Sequence, residues 1–326
     1  MAKDGMNLDG ILKWSLAHSD GTQPTRSISE EDRKWFMEAM QAQTIDVVQR
    51  MKEITKVMQT PEKDLVDQGI SSEEIEGLLD ELQDHVESID MANDLHTIGG
   101  LVPLLGYLKN SNAGIRAKAA EVVTTVVQNN PKSQQLVMEA NGMEPLFVNF
   151  SSDSDVVVRT KALGAISSLI RNNKPGILSF KQANGYAALQ NALGTENVRF
   201  QRKSLSLLQY LLHENSSDCT LVIELGFPIV MINLISSTDM EVREAALRGL
   251  LELVQARAST IHTMLHGEKE KLKHLLNNRI SELTKMSNDD DIMAAKEECN
   301  LIDSLWKVAF NESSSLVEKG LVGRCK

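Results

Sequence analysis

The fold class predicted for this chain of 326 residues is an all-α, right-handed superhelical solenoid with about four central repeats and a helical cap at each end. Two marker series predict it. Gly100, Gly142, Gly185 and Gly226 open Gly-Leu-Val-Pro-Leu-Leu, Gly-Met-Glu-Pro-Leu-Phe, Gly-Tyr-Ala-Ala-Leu and Gly-Phe-Pro-Ile-Val, at spacings of 42, 43 and 41 residues. Arg116-Ala-Lys-Ala-Ala, Arg159-Thr-Lys-Ala-Leu, Gln201-Arg-Lys-Ser-Leu and Arg243-Glu-Ala-Ala-Leu follow them at 43, 42 and 42. Between the turns only helical patterning occurs, and a period near 42 with that patterning is the armadillo or HEAT kind of repeat. Each such unit buries its apolar face on its neighbours and leaves a long surface to partners, so the chain reads first as a binding protein.

Composition agrees with helix-on-helix stacking. Apolar residues make up 42% and aromatics 4%, so Leu, Val, Ile, Ala and Met carry the packing. The formal charge of −11 argues against nucleic acid and anionic membrane as partners, since both want clustered Lys and Arg. Cys219, Cys299 and Cys325 are too few and too far apart for a disulfide framework or a Cys-x-x-Cys metal pair. Free thiols suit a reducing compartment. The start lacks the basic stretch and apolar run of a secretory signal, and no run reaches the length of a membrane span. The expected compartment is the cytoplasm, with the nucleus left open.

The elements follow in order. Residues 1–28 read as a flexible segment in which Leu8, Ile11, Leu12, Trp14 and Leu16 form an apolar island before a Gly, Pro, Ser and Thr linker. Residues 29–95 read as the N-terminal helical cap. Ser29, with Asp32 three residues on, starts a helix over 30–59 that buries Trp35, Phe36, Met40, Val47, Met51 and Ile54. Ser71-Ser-Glu-Glu is a capping-box start for a second helix reaching Asn93, with Ile75, Leu78, Leu79, Leu82, Val86, Ile89 and Met91 on its apolar face. Residues 96–257 are repeats, and 258–326 form the C-terminal cap and a short tail. Helices are expected there over 268–286 and 293–310, separated by an acidic turn at Asn288-Asp-Asp-Asp291.

Within a repeat, a short helix opens near the marker glycine, a polar turn follows, and a long third helix closes the unit. In the second repeat these are Met143–Phe150, Ser151-Ser-Asp-Ser-Asp and Val156–Arg171, with Ala162, Leu163, Ile166, Leu169 and Ile170 facing neighbouring repeats. Registering the third helices on residues 119, 162, 204 and 246 gives a ladder on the open side. Its first level is Ala117, Thr160, Arg202 and Glu244; its second is Glu121, Gly164, Ser206 and Arg248; its third is Thr125, Ser168, Tyr210 and Glu252. Singly these are solvated positions of amphipathic helices. As a set they suggest a partner-binding face by position: small side chains in the first two repeats leave room for a partner's backbone, and Arg202, Tyr210 and Arg248 are of types enriched among interface anchors.

The segments His85-Val-Glu-Ser-Ile-Asp-Met-Ala-Asn-Asp-Leu-His, Gly99-Gly-Leu-Val-Pro-Leu-Leu, Ala162-Leu-Gly-Ala-Ile-Ser-Ser-Leu-Ile-Arg171 and Val198-Arg-Phe-Gln-Arg-Lys203 resemble the Fes/heat-shock-protein-70-binding-protein family, in wording closest to its plant members. Gly10-Ile-Leu-Lys-Trp-Ser-Leu16 is similar to that family's opening segment, and the resemblance runs from residue 8 to about 320. Gly323-Arg-Cys-Lys stops short of the longer tail that the resemblance implies. It implies an armadillo-type nucleotide exchange factor, a co-chaperone of cytosolic heat-shock protein 70. Such a protein clasps the chaperone's nucleotide-binding domain on its concave face and promotes release of ADP and then of client. The resemblance implies that Ala92 and Asn93 extend the open face ahead of the first repeat, and that Arg202 is the foremost contact. On that reading a short apolar segment on a polar tether makes Leu12, Trp14 and Leu16 either a client mimic or a staple packing back on the helical domain, and the protein is expected to be a monomer with no cofactor and no metal.

Other function classes find little support. The chain has no phosphate-binding loop, dinucleotide fingerprint or nucleophile elbow. His262 and His266 stand four apart on an expected helix, the spacing of a metal pair, but no Glu or Cys is placed to complete a site. The alternative is an armadillo scaffold or adaptor for another protein. Peptide-gripping members commonly repeat Trp and Asn along the ladder; here those rungs are Glu121, Gly164, Ser206 and Arg248, then Thr125, Ser168, Tyr210 and Glu252, which favours a folded partner.

Overall fold

The computed structural model describes residues 30–255 and 259–322, and every regular element among them is helical. The chain divides into two compact units, residues 1–104 and 105–326. In chain order the helices are α1 (Glu30–Gln59), α2 (Glu62–Asp67), α3 (Ser72–His85), α4 (Ile89–Thr97), α5 (Leu101–Tyr107) and α6 (Ala113–Val127). The pattern of three then recurs. α7 (Pro131–Glu139), α8 (Met143–Ser152) and α9 (Val156–Ile170) form one set; α10 (Lys174–Gln182), α11 (Gly185–Leu193) and α12 (Val198–Glu214) form the next. A short 3-10 turn at Ser216–Asp218 leads into α13 (Cys219–Glu224), α14 (Phe227–Leu234) and α15 (Met240–Gln255). α16 (Ser259–Leu283), α17 (Asp289–Ala294), α18 (Lys296–Phe310) and α19 (Ser315–Glu318) complete the described chain.

In the first unit the Ser71 capping box forms: the Glu74 N–H donates to Ser71 Oγ at 3.2 Å, and the Ser71 N–H donates to Glu74 Oε2 at 2.8 Å. The helix expected to reach Asn93 instead ends at His85, and α4 restarts after Ser88 in an extended conformation. That break rotates the apolar stripe. Ile89 is exposed, whereas Ala92 and Leu95 are buried. Met51 and Ile54 lie in the core as expected, but Trp35 is 38% exposed. The expected side-chain burial of Phe36 and Met40 lies outside the described side chains.

The third helices start where a repeated side chain caps them. Asn112, Asp155, Asn197 and Asp239, spaced 43, 42 and 42 residues, each accept a hydrogen bond from a first-turn N–H. The first helices of two sets are capped by Asn130 and Asn173, each with Pro at the start. The turn before each second helix is a left-handed residue: Gly99, Asn141, Asn184 and Gly226, at φ of 82, 55, 60 and 84°. Gly226 therefore stands with Gly99, Asn141 and Asn184, and the equivalent of Gly100, Gly142 and Gly185 is Phe227. The fourth marker glycine is one residue out of register. In the first three repeats two requirements sit side by side: a residue able to adopt positive φ, then one lacking a side chain, since a Cβ on Gly142 would lie 2.6 Å from Val137 Cγ1.

In the second unit α6, α9, α12 and α15 pack in succession, and α18 packs on α15 to continue the row. Phe150 meets Phe200 edge-on at 5.9 Å between ring centroids, and Phe147 meets Phe180 at 6.1 Å. Polar side chains close the helix ends: Gln134 Nε2 donates to the Ser168 and Arg171 carbonyls at 3.0 and 3.1 Å, and Asn149 Nδ2 to the Leu108 carbonyl at 2.8 Å. The C-terminal helices differ from expectation at two places. α16 starts at Ser259 rather than near 268, and Asn288 caps the acidic stretch into the short α17, where a turn is expected.

Candidate partner-binding face

The face is built from the sides of α6, α9, α12 and α15 that no neighbouring third helix covers. Their more accessible positions follow the spacing i, i+4, i+7 and i+11, which keeps them on one side of an α-helix. In α12 these are Arg199, Lys203, Ser206 and Tyr210. The second and third ladder levels lie here, with Glu121, Thr125, Ser168, Tyr210, Arg248 and Glu252 half-buried and Ser206 exposed. Gly164 belongs to the same row but is buried.

The first level is one residue off. Ala117 and Thr160 are buried, Thr160 at 5% exposure, and its hydroxyl turns back to donate to the Val156 carbonyl at 2.6 Å. Arg202 and Glu244 of that level are half-buried at the flank. The central row is instead Lys118, Lys161, Lys203 and Ala245. Sequence reasoning passed these lysines over although three of the four marker segments print them, because i−3 and i−4 from a known rung are both plausible neighbours on a helix. In the first unit Ala92 is buried at 3% and Asn93 is half-buried, so Ala92 offers no side chain to a partner. Leu12, Trp14 and Leu16 lie outside the described residues.

The side chains expected as anchors are engaged within the chain. Arg202 Nε donates to Asp239 Oδ1 at 2.9 Å, its Nη2 pairs with Asp239 Oδ2, and its Nη1 lies 2.7 Å from Glu241 Oε2. The Asp239 carboxyl is held below its ordinary value chiefly by that guanidinium. Tyr210 Oη accepts from the Asn172 N–H at 2.8 Å, and the Arg171 guanidinium lies 4.5 Å from its ring centroid. Arg248 Nη2 donates to Glu297 Oε1 at 2.9 Å.

The Arg of the marker segments has a role in the frame. Arg116 Nη1 donates to the Asn110 and Ser111 carbonyls, both at 2.9 Å, while Nε and Nη2 grip Asp153 at 2.8 and 2.9 Å. Arg243 repeats the arrangement on the Ser237 and Thr238 carbonyls and on Glu298. Gln201 keeps only the carbonyl half, donating to Leu193 and Thr195.

The electrostatics change along the row. Lys161 pairs with Glu121, and Lys118 lies 3.8 Å from the same carboxylate. Burial pushes the Lys203 ammonium below its ordinary value, Arg199 and Lys161 push it further, and Glu121 opposes them. At the other end burial raises the carboxyls of Glu244, with Glu298 and Glu297 adding to it, and of Glu252, where His213 opposes. The face is thus basic over α6 to α12 and acidic at α15. Among the described residues no cluster of His, Cys, Asp and Glu could hold a metal, and no single helix is long and apolar enough to cross a membrane. Cys219 and Cys299 are free and buried.

Comparison with known proteins places this frame. The chain matches the family profile described as nucleotide exchange factor Fes1 over residues 8–95, and that of the SIL1/FES1/HPBP1 C-terminal domain over residues 91–221. It is 30% identical over 257 residues to Hsp70-binding protein 1 of Homo sapiens, covering 76% of this chain and 72% of that one. It is 27% identical over 300 residues to the Hsp70 nucleotide exchange factor FES1 of Saccharomyces cerevisiae, covering 89% and 99%. Among solved structures a designed armadillo repeat protein superposes with a TM-score of 0.59 at 16% identity, over 79% of this chain and 99% of that one. The fold is therefore of the armadillo type, and the chain belongs to the family of Fes1 and Hsp70-binding protein 1.

Proposed function

We propose that this protein is a nucleotide exchange factor of cytosolic Hsp70, acting as a co-chaperone that binds the nucleotide-binding domain on the free side of its third helices. The observation that carries the reading is that both halves of the family match in chain order, together covering residues 8–221. The physical requirement is modest. A factor that binds the open or nucleotide-free chaperone more tightly than the ADP-bound form speeds ADP release by that difference, without chemistry of its own. Nothing in the face resembles a reaction centre; its half-buried charges and small side chains suit the recognition of a folded surface. ATP entry and client release follow from the loss of ADP.

The direct test is stopped-flow release of a fluorescent ADP analogue from a cytosolic Hsp70, with and without the full chain. Acceleration that saturates with concentration is expected; an unchanged rate at saturation refutes the reading. The apolar island at Leu12, Trp14 and Leu16 is proposed to mimic a client in the substrate-binding domain. Deleting residues 1–28 should slow client release while ADP release keeps its rate, and an unchanged client-release rate disposes of the idea.

A further inference from the structure

We infer that Lys203 and Gly164 form a socket for a carboxylate side chain of the folded partner, an Asp or Glu that completes an ion pair missing from the repeat. The inference rests on the exchange-factor reading for the partner's identity, and on the following geometry for the socket.

In the preceding pair of third helices, Glu121 of α6 pairs with Lys161 of α9. One repeat later the position of Lys161 is taken by Lys203, and the position of Glu121 by Gly164. The lysine has been kept and its carboxylate removed. The two remain adjacent, since a Cβ built on Gly164 would lie 3.2 Å from Lys203 Nζ. In the last repeat the corresponding residues are Ser206 and Ala245, so there the pair is absent altogether.

Lys203 is half-buried and makes no hydrogen bond or ion pair among the described residues. That sets it apart from the other half-buried or buried basic side chains of these helices. Arg116, Lys118, Lys161, Arg202, Arg243 and Arg248 each have a carboxylate, and Arg159 donates to the Phe150 carbonyl and lies over the Phe200 ring. Lys203 has Lys161 and Arg199 beside it instead, and Glu121, the acid whose charge acts on it, is already shared by two lysines. A desolvated ammonium facing like charges costs stability in the free protein. A carboxylate arriving from outside removes that cost on binding, which makes Lys203 worth more in the complex than in the free chain.

Two variants test this, with full-length nucleotide-free Hsp70 as the probe. Lys203→Met removes the ammonium; Gly164→Glu supplies the missing acid internally, on the plan of Glu121 and Lys161. Both should keep the melting temperature of the wild type or raise it, and both should weaken Hsp70 binding about tenfold. The weakening should shrink as salt is raised, because the lost contact is ionic. Wild-type affinity in Lys203→Met sinks the socket while leaving the exchange-factor reading intact. A wild-type chain that neither binds Hsp70 nor speeds ADP release overturns both. Competition by millimolar inorganic phosphate at constant ionic strength, abolished by Lys203→Met, would assign the socket to a free anion and overturn the carboxylate.

Discussion

Replacing Glu298 by Gln should unfasten the C-terminal helices from the last repeat. Glu298 is fully buried on α18 and accepts four hydrogen bonds, from Arg243 Nε and Nη2 at 2.7 and 3.0 Å and from Arg279 Nε and Nη2 at 2.6 and 2.9 Å. An amide keeps the shape but presents its NH2 to at least one guanidinium, leaves Arg243 without an anion and leaves Arg279 with Glu282 alone. Removing one member of a buried ion pair costs about 3–5 kcal/mol. The lower end applies here, because Arg243 keeps the Ser237 and Thr238 carbonyls and Arg279 keeps Glu282. At about 2–4 °C per kcal/mol for a unit of this size, a loss near 3 kcal/mol lowers the melting temperature by about 6–12 °C. Because solenoid stability is passed between nearest neighbours, hydrogen exchange should accelerate first across 240–310 and last around α9. Acid sensitivity adds a second readout. Burial raises the Glu298 carboxyl, but the two guanidiniums outweigh it, so its folded value is below ordinary. The associated stability is present above the unfolded value of about 4.3 and is lost as pH falls through the lower folded value. The variant should lack that component of acid unfolding. An unchanged melting temperature with unchanged exchange in α15 and α18 would refute the reasoning.

The other predictions separate frame from face. Leu163→Ala, at a fully buried position of α9, should destabilise by about 2–5 kcal/mol in a denaturant titration. Arg202→Glu should weaken Hsp70 binding, but it also sets a third carboxylate beside Asp239 and Glu241, so Arg202→Met is the cleaner variant. If Arg202 contacts the partner, Arg202→Met weakens binding by calorimetry with a normal circular dichroism spectrum; if it only ties repeats, binding is kept and the exchange protection of α15 falls.

Much of the repeat architecture was legible because its requirements are local and recur. The capping residues Asn112, Asp155, Asn197 and Asp239 sit at the ends of polar turns that composition marks clearly, and Arg116 and Arg243 each answer two loop carbonyls that need a donor. Where the reading slipped, one residue of register was at stake. Gly226 satisfies the positive-φ requirement, which Asn141 and Asn184 meet in other repeats, rather than the close-packing one, and a glycine in the sequence does not reveal which of the two it answers. The first ladder level slipped in the same way, toward Thr160 and away from Lys161. Ala92, which the resemblance put on the open face, is buried because the break at Val86–Ser88 resets the helical phase, and none of those three residues is a strong breaker.

In a solenoid of this kind Arg and Tyr serve two kinds of interface, and the reason is physical. Arg and Tyr are favoured at interfaces because they cover area and satisfy several acceptors at once, and stacked repeats are themselves a series of interfaces. Arg116, Arg202 and Arg243 accordingly reach carboxylates 37, 37 and 55 residues on, and Tyr210 closes the end of the preceding third helix. These ties fix the angle between successive repeats. Under the proposed function that rigidity has a use, since a compliant grip would adapt to the closed and the open chaperone alike and separate them little. By linkage, ADP must weaken the binding of this protein by the factor with which the protein weakens ADP. A variant that loosens an inter-repeat tie should therefore bring the affinities with and without ADP closer together, even where the contact residues are untouched.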